Sequence, residues 1–143
     1  VPAPAITLKD QNGETHTLAD YKGQVVFLNF WATWCGPCQN EMPDIQALYE
    51  DWDENAGEVV VLGVAGPNQG REGSADDIKA FLSEKGYTYP VLLDESGEAF
   101  YQYGISGFPT TFMIDKEGNV FGLVTGEISR EIMDDIVRQT LEG

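Results

Sequence analysis

Apolar residues along the chain follow two periods, and the points where the period changes outline the elements. Val25-Val26-Phe27-Leu28-Asn29-Phe30-Trp31 and the stretch 59–65 are near-continuous β-branched and aromatic runs, the pattern of strands buried on both faces. Between them Cys38, Met42, Ile45, Leu48, Tyr49 and Trp52 recur at helical spacing on one face. The unit reads as β-α-β, a crossover joining two parallel strands. Pro43 lies inside the helical stretch, removes a backbone donor and predicts a kink.

Either side of this unit the periods are shorter. Residues 6–8 and 15–18 flank Asp10-Gln11-Asn12-Gly13 and read as a hairpin with an Asn-Gly turn. Residues 66–73 are a Gly/Pro/Asn-rich loop, after which Ser74 caps a helix with Ile78, Phe81 and Leu82 on its inner face and its end near Gly86. Residues 91–94 form a third core strand and 99–103 a short helix. Thr110-Thr111-Phe112-Met113-Ile114 starts a strand directly after Pro109, where proline costs no ladder bond, and 120–124 pairs back across a turn at 115–119. Ser129 caps a last helix with Ile132, Met133, Ile136 and Val137 facing inward. The sum is one α/β domain over residues 1–143, a mixed sheet with helices on both faces and no internal repeat or boundary. Val1-Pro2-Ala3-Pro4-Ala5 reads as an extended tether outside the fold.

Composition narrows the function classes. At 143 residues and 42% hydrophobic, the chain can bury a single core, which excludes disorder. Acidic residues outnumber basic ones 24 to 8, and a net charge of −16 repels nucleic acid and anionic membranes while favouring basic or neutral protein partners. Solubility alone is the commoner reason for such acidity and is the favoured reading of it. No apolar run approaches the ~20 residues that span a bilayer. The chain opens on Val1 with no Met and no basic segment, and the expectation is that a leader or anchor preceded it.

The chemistry sits at the end of the first long strand. Trp34-Cys35-Gly36-Pro37-Cys38 contains the only two cysteines. Cysteines at i and i+3 on a first helical turn have Cα atoms ~5 Å apart, inside the window of a disulfide. That turn also carries unpaired N–H groups and the positive end of the helix dipole, which favour thiolate over thiol. Pro37 presets helical φ where no N–H is needed. The alternatives are an inert staple or half a zinc site, and with His16 as the only histidine and no other cysteine, zinc lacks ligands. His16 itself reads as a surface hairpin histidine.

Phe30-Trp31-Ala32-Thr33-Trp34-Cys35-Gly36-Pro37-Cys38, Pro43 and Gly107-Phe108-Pro109-Thr110 together resemble the thioredoxin superfamily. The hairpin and the extra helix–strand of residues 74–94 resemble its extracytoplasmic TlpA/ResA-type reductases. The resemblance implies a thioredoxin-like fold with an N-terminal β-hairpin and a central helix–strand insertion. It also implies an exposed attacking Cys35 and a buried resolving Cys38, an order that the helix terminus and the apolar face support independently. Pro109 is expected to be cis against the general preference for trans, with Phe108 and Thr110 beside it in a substrate groove open to β-augmentation. Trp31 is expected in the core and Trp34 on a contact surface. Gly126 is either a groove-flanking residue or a plain turn glycine.

One departure from the cytoplasmic thioredoxin pattern is Asn29 in place of a buried Asp before the Trp. An amide cannot take the proton that Cys38 must lose. The resemblance points to Glu41, one turn beyond Cys38, with Glu72 as a weaker candidate; composition alone reads both as solvated surface carboxylates. Gln39 and Asp44 leave the rim short of positive charge, which raises the Cys35 pKa.

The functional expectation is a thiol–disulfide oxidoreductase reducing protein disulfides through a Cys35/Cys38 mixed-disulfide cycle, with no cofactor beyond the cysteine pair and no metal. The Gly-Pro dipeptide resembles that of reducing thioredoxins. The resemblance further implies an extracytoplasmic setting, a membrane dithiol as donor and apocytochrome c among the substrates, while size and charge make a monomer the default expectation. Two alternatives are a peroxiredoxin-like peroxidase and a non-catalytic peptide-binding module. Peroxidases of that type place Thr three residues before the cysteine and Pro four before that, where this chain has Ala32 and Leu28. The presence of both cysteines argues against the module.

Overall fold

Val25–Phe30 forms the strand around which everything else is arranged, and all six of its residues are buried. The computed structural model describes residues 1–143. In chain order the elements are β1 (Thr7–Lys9), β2 (Thr15–Thr17), β3 (Val25–Phe30), α1 (Gly36–Asp51), β4 (Val59–Ala65), α2 (Ala75–Lys85), β5 (Val91–Leu93), α3 (Glu98–Gln102), β6 (Thr110–Ile114), β7 (Val120–Thr125) and α4 (Arg130–Glu142), with 3-10 turns at Leu18–Tyr21 and Asp53–Asn55. The five-stranded sheet runs β5-β4-β3-β6-β7, and β1 and β2 pair separately. β3 is parallel to β4 and antiparallel to β6, so it is central and covered on both faces. That position is why its sequence is a continuous apolar run rather than an alternation.

Alternation along β3 divides the core. Val25, Phe27 and Trp31 pack with Met42, Ile45 and Leu48 of α1, Ile78 and Leu82 of α2, and Met133 and Val137 of α4. Val26, Leu28 and Phe30 face the other layer, with Ile6, Leu18, Ala99 and Tyr103. Three helices therefore cover one face, while α3 and the hairpin cover the other. β3 and β4 stop at the same end of the sheet, and α1 begins directly after β3. The motif thus lies outside the carboxyl ends of the parallel strands, the usual place for a site in an open α/β sheet.

Several local expectations are corrected. The opening residues are extended as their prolines demand, yet they are laid on the fold. Pro2 bridges Asn119, Ala3 N–H donates to the Gly118 carbonyl at 3.0 Å, and the Tyr103 hydroxyl donates to the Pro4 carbonyl at 2.7 Å. The hairpin turn is organised by Asp10, whose Oδ1 accepts from the N–H groups of Asn12 and Glu14. His16 is not a free surface residue, because its ring is held between Asp10 Oδ2 at 2.7 Å and the Tyr21 hydroxyl at 2.6 Å. Ile132 is 43% exposed, and Thr140 takes an inner position on α4 instead.

Candidate active site

Five residues, Trp31 to Cys35, turn the chain from β3 into α1. Cys35 is the N-cap of α1 with extended backbone, and Pro37 occupies the first turn. The Cys35 sulfur accepts from Cys38 N–H at 3.2 Å, satisfying one of the donors that a helix start leaves open. A disulfide joins Cys35 to Cys38 across a Cα separation of 5.3 Å, the spacing one helical turn dictates. Cys38 is fully buried, but Cys35 is itself only 5% exposed, so the expected exposed thiol is merely the outer of two covered sulfurs. Trp34, Gly36 and Pro37 are the parts of the motif that meet solvent, and Trp31 is buried in the core.

Phe108 lies edge-on to Trp34 with ring centroids 5.8 Å apart, which brings the Phe108–Pro109 turn beside the motif. That peptide bond is cis. The N–H and C=O of Phe108 have no partner in the chain, whereas the Pro109 carbonyl accepts from Gly126 N–H at 2.8 Å. Gly126, at φ +93°, therefore borders the same turn. Thr110 opens β6 opposite Phe30, and its hydroxyl donates to the Gly107 carbonyl at 2.8 Å.

Beneath the disulfide lies a buried polar group. Asn29 Nδ2 donates to Glu41 Oε1 at 2.9 Å and to Thr111 Oγ1 at 3.0 Å. Ile128 N–H donates to the other Glu41 oxygen at 3.1 Å. Glu41 is 1% exposed, which overturns its reading as a solvated surface carboxylate. Burial pushes its carboxyl up to about 7, against the Ile128 N–H and the Asn29 amide, which lower it; Glu127 nearby adds to the rise.

Glu72 has a different task from the one expected of it. Its carboxylate accepts from Thr33 N–H at 2.8 Å, Thr33 Oγ1 at 2.5 Å and Gly73 N–H at 2.9 Å. These bonds tie the loop at 66–73 to the turn just ahead of Trp34. The loop also brings Arg71 over the Trp34 ring, 4.5 Å from its centroid. The rim is thus less depleted of positive charge than Gln39 and Asp44 imply. Gln39 instead donates to the Thr33 carbonyl at 2.5 Å, a second tie across the same turn.

Residues 1–121 match the AhpC/TSA family. The thiol-disulfide oxidoreductase ResA of Geobacillus thermodenitrificans is 37% identical over 129 residues, covering 90% of this chain and 70% of that protein. The exposed lipoprotein thioredoxin of Streptococcus pneumoniae superposes with a TM-score of 0.84 at 34% identity, over 95% of this chain and 99% of that one. A thiol:disulfide interchange protein of the thioredoxin family from Chlorobium tepidum gives 0.83 at 33% identity, over 99% and 96%.

The chain belongs to the ResA-like thiol–disulfide oxidoreductases of the thioredoxin-fold AhpC/TSA family. It is a protein disulfide oxidoreductase, and its redox pair is the one joined here, Cys35–Cys38. Within that ResA-like frame the structure brings together Trp34, Cys35, Gly36, Pro37, Cys38, Phe108, Pro109 and Thr110 around one end of the sheet. Asn29 and Glu41 lie below them, and Glu72 to one side. Sequence reasoning missed three partners: Thr111, the Ile128 N–H and Arg71. The first two are contacts between distant segments and leave no local signal. Arg71 does have one, as the only Lys or Arg between Lys22 and Lys79.

Proposed function

We propose that this enzyme reduces protein disulfides outside the cytoplasm, with Cys35 as the attacking thiol, Cys38 as the resolving thiol and Glu41 as proton acceptor. The reading is carried by one arrangement: a Cys35–Cys38 pair at a helix N-terminus with a buried, near-neutral-titrating carboxyl one turn beyond Cys38. The Cys35 thiolate attacks one sulfur of the substrate disulfide. A Cys35–substrate disulfide forms, and the other substrate sulfur leaves as thiolate. Cys38 then gives its proton to Glu41 and attacks Cys35 Sγ. The internal disulfide closes, the second substrate thiolate leaves, and two electrons have passed from enzyme to substrate.

Asn29 is a positioning residue, holding Glu41 through one hydrogen bond while contributing no proton site of its own. The free N–H and C=O of Phe108 offer an extended substrate segment a place to pair, with Pro109 and Thr110 shaping the groove. No helix is long and apolar enough to cross a membrane. The setting outside the cytoplasm rests on the ResA relatives and the lipoprotein thioredoxin. A membrane dithiol as electron donor and apocytochrome c as substrate follow the same resemblance.

An insulin-precipitation assay with dithiothreitol tests the activity: wild type accelerates precipitation and Cys35→Ser does not. Equal rates for the two proteins would end the exchanger reading. The direction is tested by the potential of the Cys35/Cys38 couple, expected near about −270 mV for a reductase, against about −120 mV for an oxidant.

A further inference from the structure

Beside the disulfide is a cleft of about 180 Å³ lined by Trp31, Trp34, Gly66, Arg71, Phe100 and Phe108 among others. Its aromatic wall is continuous, since Phe108 stands edge-on both to Trp34 at 5.8 Å and to Phe100 at 5.7 Å. Arg71 adds a cation lying over Trp34. In a chain with 24 carboxylates this guanidinium pairs with none, although Arg130 and Arg138 each hold two.

The loop that carries Arg71 is built rather than loose. Glu72 fastens it to Thr33, Asn68 N–H donates to the Gly73 carbonyl at 2.7 Å, and the Gln69 amide donates to the Asp94 carbonyl at the end of β5. At Gly66 a Cβ would fall 2.9 Å from Gln69 Oε1, so the loop is packed tightly at its start as well. Arg71 is thereby held at the rim before any ligand arrives.

What can reach this cleft follows from the chemistry next to it. A substrate in mixed disulfide with Cys35 has its own Cα about 5.5–6 Å from that of Cys35, and each further residue extends at most ~3.3–3.6 Å. Trp34, the rim residue, is bonded directly to Cys35. A side chain one or two positions from the substrate cysteine is therefore delivered to the cleft. The apolar lining accepts a large apolar group, and the unpaired cation accepts a π face. An acidic side chain would lose hydration against the aromatic wall and meet the field of a −16 protein, while a basic one would be repelled by Arg71.

We propose that this cleft is a side-chain pocket that selects protein substrates carrying an aromatic residue within two positions of the reacting cysteine, with Arg71 and Phe100 as its specificity-determining residues. It rests on the disulfide-reducing reading above and assigns the loop between β4 and α2 a part in substrate choice.

Three fluorogenic disulfide peptides, differing only in Phe, Ala or Asp beside the reacting cysteine, provide the test. Wild type is expected to favour the Phe peptide over the Ala peptide by about tenfold in kcat/KM, mostly through KM. Arg71→Ala and Phe100→Ala, checked for folding by thermal unfolding, should each bring that ratio to within about twofold. Equal kcat/KM for Phe and Ala in wild type, preference for Asp, or a ratio unchanged in both variants overturns the pocket. Those results differ from failure of the exchange reading, in which wild type would reduce none of the three peptides faster than Cys35→Ser.

Discussion

Glu41 is pushed up to about 7 because it is shut away from water with only two hydrogen-bond donors in reach, and under the proposed mechanism this sets the pH at which it accepts the Cys38 proton. Its folded pKa of about 7 lies above the usual 4.5, so the fold favours the protonated form. The corresponding stability is complete below the unfolded value and is lost as pH rises through 7. Glu41→Gln cannot ionise, so the melting temperature of wild type should fall relative to the variant between about pH 5 and about pH 8. A gap that stays constant over that range would sink the assignment. In turnover the same variant should resolve the mixed disulfide about 10²-fold more slowly, leaving the Cys35–substrate adduct to accumulate in acid-quenched samples. Asn29→Asp replaces the amide donor at 2.9 Å with a second carboxyl. Two carboxylates at that distance cannot both ionise freely, so the pH midpoint of turnover should move upward, as measured in a pH–rate profile.

Helix α2 shows how local chemistry places an element. Ser74 Oγ accepts from Asp77 N–H at 3.1 Å and Asp77 Oδ2 accepts from Ser74 N–H at 3.0 Å, closing a capping box at the point where the Arg71 loop ends. At the far end Gly86 takes φ +75°, a left-handed cap that a Cβ would strain. Ser74→Ala should cost about 1 kcal/mol and lower the melting temperature by a few degrees. A melting temperature unchanged in calorimetry would mean that packing alone holds the helix. Caps and breakers of this kind are local, which is why α2, β4 and β6 were legible within a residue or two. Ile132 was not, because helical period alone does not say where the covered stripe ends. The covered stripe of α4 runs through Met133, Val137 and Thr140, and Ile132 lies beside it, 43% exposed.

At the scale of the whole molecule, a charge of −16 surrounds a rim whose one fixed cation is Arg71. Long-range attraction should raise kcat/KM at low salt for disulfide peptides carrying lysines well outside the cleft, more than two positions from the cysteine. The advantage should fall as sodium chloride increases and the Debye length shrinks from ~30 Å to ~8 Å. Salt-independent rates for such peptides would show that the field does not reach the site. By itself the sequence determined the strands, the helix caps and the cysteine pair, because period, capping and i, i+3 spacing act within a few residues. It also marked Asn29 as a position without a proton acceptor. Only the tertiary structure decided that Glu41 is buried against Asn29 and Ile128, that Glu72 is a clamp, and that Arg71 lies over Trp34. Those facts depend on contacts between segments up to 87 residues apart. Burial and partner choice, which set a carboxyl's pKa and a cation's use, arise only when the β-α-β unit, the loop and β6 converge at one end of the sheet.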